Sequence, residues 1–164
     1  MVFPSPIKSA PYSIESQWID YNGHFNMAYY NVLFDRDSDV GLALIGLGPA
    51  YVAQTGNSYF TLEAHISYLR ELHPQDEVQI TIQILDFDAK RLHYVQIMHH
   101  AKEGWVACVT ENIVMHVGMA SKKSSAFPPD VLEKIRLAHE AHKSLPVPLQ
   151  VGHKIGIPRK VQQP

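Results

Sequence analysis

The segment Trp18–Tyr30, WIDYNGHFNMAYY, holds the densest set of side chains in the chain that could do chemistry. Asp20, His24 and Asn26 lie around a turn that contains Gly23, and a predicted helix follows at once. A helix N-terminus presents N–H groups without acceptors and a partial positive charge, which can stabilise a developing oxyanion. A carboxylate just upstream can attack a carbonyl or activate a water that does so. The same spacing is also typical of a plain turn with a capping residue, so both interpretations stay open.

The helix that must position this segment is predicted to begin at Met27, with Asn26 as its N-cap. Apolar side chains recur at helical spacing as far as Ile45, where Gly46, Gly48 and Pro49 form a stop. About twenty residues at roughly 1.5 Å each predict a helix about 30 Å long. Small residues around it favour a helix enclosed by other structure.

Four stretches of period-two alternation follow between Ser58 and Val117 and predict an antiparallel sheet with one buried face. Short links between them predict hairpins, and a weaker alternation over Tyr12–Ile19 adds a first strand. A second helix is predicted from Pro129. We therefore expect an α+β fold in which a five-stranded antiparallel sheet wraps one long helix. The whole chain, 1–164, is expected to be one domain, with a core at 12–117 and a C-terminal helix and tail at 128–164.

Composition excludes several classes of protein. The 164 residues carry 14 Lys and Arg against 16 Asp and Glu, a formal net charge of −2, which argues against nucleic-acid binding. A single cysteine excludes an internal disulfide and favours a cytoplasmic protein. The apolar stretches are too short to span a bilayer, and the first residues do not look like a signal peptide, so we expect no membrane association.

The pattern Asp-x-x-Gly-His-x-Asn-x-x-x-Tyr, formed by Asp20, Gly23, His24, Asn26 and Tyr30, resembles the hotdog-fold acyl-CoA thioesterases of the 4-hydroxybenzoyl-CoA thioesterase-like branch. Longer stretches are similar to the members of that branch that hydrolyse betainyl-CoA in bacterial carnitine breakdown. These stretches are 65–80, 86–117, 127–135 and 156–160.

The resemblance implies hydrolysis of an acyl-CoA to a free acid and CoA, foremost betainyl-CoA to glycine betaine, without a metal or other cofactor. It implies a homodimer, often paired into a tetramer, with active sites between subunits. Asp20 would be the nucleophile or general base, His24 and Asn26 would orient it or a water, and N–H groups near Met27 would polarise the carbonyl. The alternatives are a thioesterase for fatty or aromatic acyl-CoA and a non-catalytic acyl-CoA-binding domain. A hotdog dehydratase would need a different motif.

Further residues are candidates for substrate binding. Glu63 and His65 lie on the polar side of their predicted strand, as an exposed or interface pair or as support for the active site. Glu111 falls in register with the apolar residues of the last strand, and a buried carboxylate is costly unless paired, here with His65 or His116. The predicted substrate-binding set is Gly23, Met27, Tyr30, Trp18, Glu63, His65 and Glu111.

The remaining candidates concern cations, aromatic rings and metals. Arg70, Arg91 and Arg159 could meet the CoA phosphates or be ordinary solvated charges. Five aromatic residues could form core or interface, or enclose a trimethylammonium group through cation–π contacts; they are Trp18, Tyr21, Tyr30, Phe60 and Trp105. Cys108 is predicted to point away from the inner face. His99 and His100 would point to opposite sides of a strand, and His139 and His142, although helically spaced, have no third ligand nearby, so no metal site is predicted.

Overall fold

A computed structural model describes residues 2–157. One antiparallel sheet and three α-helices make up the fold, together with two short 3₁₀ helices at Ser16–Trp18 and Leu42–Ile45. The strands are β1 (Ile7–Lys8), β2 (Tyr12–Ser13), β3 (Asn57–Tyr68), β4 (Glu77–Phe87), β5 (Arg91–His100), β6 (Val106–Gly118) and β7 (Lys123–Ser124). The helices are α1 (Met27–Gly41), α2 (Pro49–Thr55) and α3 (Pro129–His142). Within the described residues, no helix is long and apolar enough to cross a membrane.

The sheet has the order β1-β4-β5-β6-β3, with β2 also on β4 and β7 on β6. The predicted antiparallel sheet is confirmed, but β3 does not form a hairpin with β4. The link 69–76 instead carries the chain across the fold, so that β3 pairs with β6 at the far edge. The expected first strand over Tyr12–Ile19 is reduced to Tyr12–Ser13 and a 3₁₀ turn. Among residues 2–157, β3 has a strand neighbour on one side only, which makes it an edge strand.

Helix α1 crosses the inner face of the sheet. Its N-cap is Asn26, as predicted, because the Asn26 side chain accepts the N–H of Ala28 at 3.0 Å. Leu33 and Phe34 pack in a core cluster with residues of β4, and Gly41 permits a close approach to Ile82. The α-helix has 15 residues, about 22 Å, rather than twenty, because the chain tightens into a 3₁₀ turn after Gly41.

The side of this helix away from the sheet, including Asp35 and Val40, is exposed, so the expectation of an enclosed helix is wrong for a single chain. The predicted stop after Ile45 is confirmed, because Gly46 ends the 3₁₀ turn in a left-handed conformation. Helix α2, which was not predicted, then begins at Pro49.

The alternation in β3 breaks at a bulge between Thr61 and Glu63. A bulge adds one residue to one strand and so reverses which face the following side chains occupy. The residues before the bulge are therefore out of phase with those after it: Tyr59 packs on the core as Ile66 does, whereas Phe60 and Leu62, expected to share the inward face with Ile66, are about half exposed.

From Cys108 onward, after a register shift at Ala107, the predicted inner and outer faces of β6 are exchanged, whereas Ala107 itself lies in the core as predicted. Cys108 and Val114 lie in the core beneath the helices, and burial raises the pKa of the Cys108 thiol to about 12. Val109, on the opposite face, is buried as well, because residues 146–150 after α3 line a groove over it. Apolar side chains on both faces of a strand carry no signal about which face meets the helix.

Helix α3 begins at Pro129, as predicted, and is fastened at its end by His142. His142 Nδ1 accepts the N–H of Ile84 at 2.9 Å, and Nε2 donates to the carbonyl of Pro4 at 2.9 Å. Burial lowers the pKa of His142, so the neutral ring is favoured. This histidine joins three parts of the fold and has a structural role.

Candidate active site at the N-terminus of the central helix

The loop before α1 closes on itself and so presents its side chains in a defined way. Ile19 and Phe25 form an isolated antiparallel bridge, and the N–H of Asn26 donates to the carbonyl of Trp18 at 2.9 Å. Gly23 has a φ of +81°, which favours glycine, and its N–H donates to the carbonyl of Asp20. The Gly23 N–H is thus used within the turn, and the glycine shapes the loop instead of binding substrate through that group.

Asp20 is half-buried, and the loop backbone orients its carboxylate. Oδ1 accepts the N–H of Asn22 at 2.8 Å and, more weakly, that of His24 at 3.5 Å. Oδ2 has no such partner among the described residues. One oxygen therefore holds the group in place while the other is available to a water or a thioester carbonyl.

Met27 occupies the first turn of α1, directly after the cap. Because Asn26 takes the N–H of Ala28, the N–H of Met27 is the adjacent group that could bind an oxyanion. Asp20 and Met27 line the same cavity, of about 480 Å³. A carboxylate and a helix N-terminus thus meet in one cavity, as the motif predicted.

The opposite wall of the cavity comes from the end of β3 and the link that follows it. Tyr68 donates its hydroxyl hydrogen to the carbonyl of Met27 at 3.1 Å, and its ring meets Tyr30 edge to face at 5.2 Å. Leu69, Arg70 and Glu71 complete this wall. Sequence reasoning missed Tyr68 and Glu71, because they lie some forty positions after the motif and reach it only through the crossover of β3.

The ring of His24 faces this wall. Its Nε2 lies 3.4 Å from Oε2 of Glu71, and the ring centroid lies 5.2 Å from that of His73. The described contacts of the Asp20 carboxylate include the His24 backbone but not its imidazole. The imidazole therefore couples the turn to the second carboxylate of the cavity, Glu71.

A family model, described as the thioesterase-like superfamily, matches residues 14–135, which include the loop, α1 and all four long strands. The chain belongs to the thioesterase-like superfamily. The predicted hotdog fold is confirmed as well: a protein from Staphylococcus aureus, solved in complex with CoA, has a TM-score of 0.88 and 30% sequence identity. The match covers 96% of this chain and 98% of that one.

Two further relatives bear on the reaction. A betainyl-CoA thioesterase of Pseudomonas aeruginosa is 36% identical over 142 residues, which are 87% of this chain and 89% of that protein. An L-carnitine dehydrogenase/betainyl-CoA thioesterase of Rhizobium meliloti is 34% identical over 92% of this chain, which spans 30% of the length of that protein. These matches confirm that this chain is an acyl-CoA thioesterase, that is, a thioester hydrolase.

In this thioesterase, the predicted aromatic enclosure is not assembled. Trp18 is buried and stacks on Tyr29 behind the loop, and Tyr21 is almost fully exposed. Phe60 precedes the bulge and is half exposed, and Trp105 packs under the guanidinium of Arg70. Of that set only Tyr30 lines the Asp20 cavity, because contacts between strands decide which rings meet.

The predicted group of Glu63, His65 and Glu111 lies elsewhere, in a second cavity of about 340 Å³ on the outer face of the sheet. Glu111 pairs with neither of its expected partners. Its Oε1 lies 2.8 Å from Nε2 of His93, and its Oε2 accepts the N–H of Gly152 at 2.7 Å. His65 stands directly across the strand pair from Glu111, yet its buried Nδ1 has no partner in the described chain.

His116, the other expected partner of Glu111, is on the inner face. It bonds with Tyr51 at 2.8 Å and with the carbonyl of Ser125 at 3.1 Å. Within one chain, then, Glu63, His65 and Glu111 line a different cavity from Asp20, and their assignment to substrate binding stays a prediction.

The three cations predicted to meet CoA phosphates are in different situations. Arg70 lines the Asp20 cavity with its guanidinium 4.1 Å from the ring centroid of Trp105. Arg91 is the first residue of β5, at the opposite end of the strands, and forms an ion pair with Asp88 at 2.6 Å. Arg159 falls outside the described residues. Across residues 2–157, no three His, Cys, Asp or Glu side chains are arranged to hold a metal ion.

Proposed function

We propose that this thioesterase hydrolyses betainyl-CoA to glycine betaine and CoA in the cavity between Asp20 and Tyr68. The observation that carries the proposal is the Asp20 carboxylate, which has one oxygen hydrogen-bonded to the loop and lines the same cavity as the first turn of α1. The names of the Pseudomonas and Rhizobium relatives support betainyl-CoA as the substrate, and the fusion in the Rhizobium protein supports a place in carnitine degradation.

The reaction needs a nucleophile at the thioester carbonyl and a donor to its oxygen. In the proposed mechanism, Oδ2 of Asp20 removes a proton from a water whose oxygen attacks the carbonyl carbon. The carbonyl oxygen gains charge and accepts a hydrogen bond from the Met27 N–H. The C–S bond then breaks, the acid is released, and the CoA thiolate takes up the proton. Asn26 caps the helix and His24 contacts Glu71, and together they keep the loop and the helix end in place.

A direct attack by Asp20 would instead form a mixed anhydride, which water then hydrolyses. A single turnover in labelled water identifies one form of this route. Label in the Asp20 carboxylate demonstrates an anhydride that water opens at the Asp20 carbon, whereas label confined to the released acid excludes that form and is the result expected for the general base.

We also propose that the active enzyme is a dimer, or a pair of dimers, built on β3. This strand is 12 residues long, forms an edge in the described chain and carries half-exposed Phe60 and Leu62. Such an edge presents unpaired backbone N–H and C=O groups, which can pair with a strand of another chain. Antiparallel pairing of two β3 strands would bring the Asn57 end of one copy, and with it Arg91, toward the Tyr68 end of the other. The exposed side of α1 supports the same arrangement.

A cytoplasmic location is proposed as well. The one cysteine, Cys108, is buried in the core and packs as an apolar residue. Such a chain needs no oxidising compartment to fold.

The test is thiol release from a panel of acyl-CoAs, followed with a chromogenic disulfide. We expect betainyl-CoA to have the highest kcat/KM, ahead of fatty and aromatic acyl-CoAs. Asp20→Asn should nearly abolish turnover, whereas Glu133→Gln, which removes an exposed carboxylate from α3, should not. Faster turnover of a fatty or aromatic acyl-CoA would replace the proposed substrate. Binding of acyl-CoA without thiol release would overturn the enzymatic assignment.

A further inference from the structure

The acyl group of betainyl-CoA, the substrate on which this inference rests, ends in a permanently charged trimethylammonium group. That group has no N–H to donate, so a protein recognises it with aromatic rings and with carboxylates. Only two covalent bonds separate its nitrogen from the carbonyl carbon. The residues that recognise the cation must therefore adjoin the residues that act on the carbonyl, which excludes Glu63 and Glu111 of the same chain on the outer face.

Tyr68 meets this requirement by its position. Its hydroxyl is bonded to the carbonyl of Met27, the residue whose N–H faces the substrate oxygen in the proposed mechanism. The edge-to-face contact with Tyr30 holds the ring from a second side. The residue nevertheless stays 44% exposed and lines the cavity, so part of its ring is free to contact a ligand.

Glu71 supplies the charge. Its side chain is mostly exposed at the same wall, and its nearest charged or ionisable partner in the described chain is His24, at 3.4 Å. Arg70, the cation on this wall, already lies over the Trp105 ring. Asp20 and Glu71 therefore leave the acyl end of the cavity with an excess of negative charge, which attracts a cationic acyl group and disfavours a carboxylate.

We propose that Tyr68 and Glu71 form the specificity subsite for a quaternary ammonium acyl group, with the Tyr68 ring against its methyl groups and the Glu71 carboxylate as its counter-charge. Neither residue takes part in bond making. Both act on which acyl group is held beside Asp20.

The experiment compares betainyl-CoA with 3,3-dimethylbutyryl-CoA, in which a carbon replaces the charged nitrogen and the shape is kept. For the wild type we expect kcat/KM to favour betainyl-CoA by at least about tenfold. Glu71→Gln keeps the size of the side chain and removes its charge, so the preference should fall by about tenfold, through a rise in KM that is larger for betainyl-CoA than for the neutral substrate. Tyr68→Leu should reduce the preference as well.

Two controls separate specificity from structure. Tyr68→Phe loses the bond to Met27 but keeps the ring, so it should retain the preference even if kcat falls. Glu133→Gln removes an exposed carboxylate on α3 and should match the wild type with both substrates. Thermal melting of each variant shows whether the fold is kept.

The outcomes are distinct. Equal losses with both substrates in Glu71→Gln would show that Glu71 positions His24, and would overturn the subsite. An unchanged preference in both Glu71→Gln and Tyr68→Leu would overturn it too, while the proposed function would stand. No hydrolysis of betainyl-CoA by the wild type, with turnover of another acyl-CoA, would instead refute the proposed function.

Discussion

Two cavities of this thioesterase each combine carboxylates with histidines, and they differ in what the backbone leaves available. At the helix N-terminus, Asp20 gives one oxygen to the loop and keeps the other free within the described chain. On the outer face, both oxygens of Glu111 are taken, one by His93 and one by the N–H of Gly152. A carboxylate with both oxygens bonded is suited to holding a segment in place, whereas one with a free oxygen beside a helix N-terminus can act on a substrate.

A third carboxylate extends the comparison into the core. Asp37 on α1 is buried, with Tyr12 Oη at 3.4 Å and Gln96 Nε2 at 3.2 Å. Burial raises its pKa from 3.8 to about 6, although these hydrogen bonds act in the opposite direction. The three carboxylates thus differ in their surroundings: Asp20 keeps one oxygen without a partner in the described chain, Glu111 bonds the C-terminal segment, and Asp37 is buried on the inner side of α1.

The largest expected effect separates the two cavities by activity. Asp20→Asn should lower kcat for betainyl-CoA by about 10³-fold, since it removes the base but keeps the shape. Glu111→Gln should leave kcat close to the wild-type value. Steady-state thiol release measures both. A Glu111→Gln enzyme as inactive as Asp20→Asn would mean that the outer cavity joins the active site in the assembled enzyme.

The next effect concerns the buried charge. The raised pKa of Asp37 means that the folded state favours the protonated carboxyl, so its contribution is fully present below pH 4 and is lost as the pH rises through 6. At pH 7, Asp37→Asn should therefore raise the free energy of unfolding, by on the order of 2 kcal/mol. Urea unfolding at pH 4 and pH 7 tests this: the difference between variant and wild type should grow with pH. A constant difference would contradict it.

A smaller effect is expected at the outer cavity. In a double-mutant cycle with Glu111→Ala and His93→Ala, the coupling in unfolding free energy should be about 1 kcal/mol, because the pair is only partly shielded from water. A coupling near zero would show that Glu111 acts mainly through Gly152. Limited proteolysis should cleave near residue 152 faster in Glu111→Ala than in His93→Ala.

The smallest effect separates strain from function. Gly23→Ala and Gly56→Ala each place a side chain at a positive φ, +81° and +67°, with no atom within 4 Å of the new Cβ. Both should lower the unfolding free energy by about 1 kcal/mol. Only Gly23→Ala should also lower kcat, because its turn holds Asp20. Equal effects on kcat would show that the turn tolerates the strain without moving the carboxylate.

Local signals in the sequence were sufficient for much of this protein. The cap at Asn26, the start of α3 at Pro129 and the four long strands depend on contacts within a few residues, and all were predicted. The side of the cavity formed by Asp20 and Met27 was predicted for the same reason, since these two residues are only seven positions apart. The motif and the longer similar stretches also indicated the family.

Other features depend on residues far apart in the chain, and the sequence was misleading there. The bulge in β3 puts Phe60 on the opposite face from the residues that continue its alternation, and because both faces of β6 are buried, the apolar pattern did not show where Cys108 lies. Glu111 was correctly noticed as an unusual carboxylate, but its partners come from β5 and from the C-terminal segment. No periodic pattern within one strand reports such partners.

The sequence by itself determined the family, the helix with its cap, and the reactive loop, because each is encoded in neighbouring residues whose hydrogen bonds close locally. Only the tertiary structure decided that β3 crosses to the far edge, and so that Tyr68 and Glu71 face Asp20 while Glu63, His65 and Glu111 do not. The physical reason is that strand order is set by which apolar faces are buried together. That is a property of the whole sheet and helix, which no single segment of the chain contains.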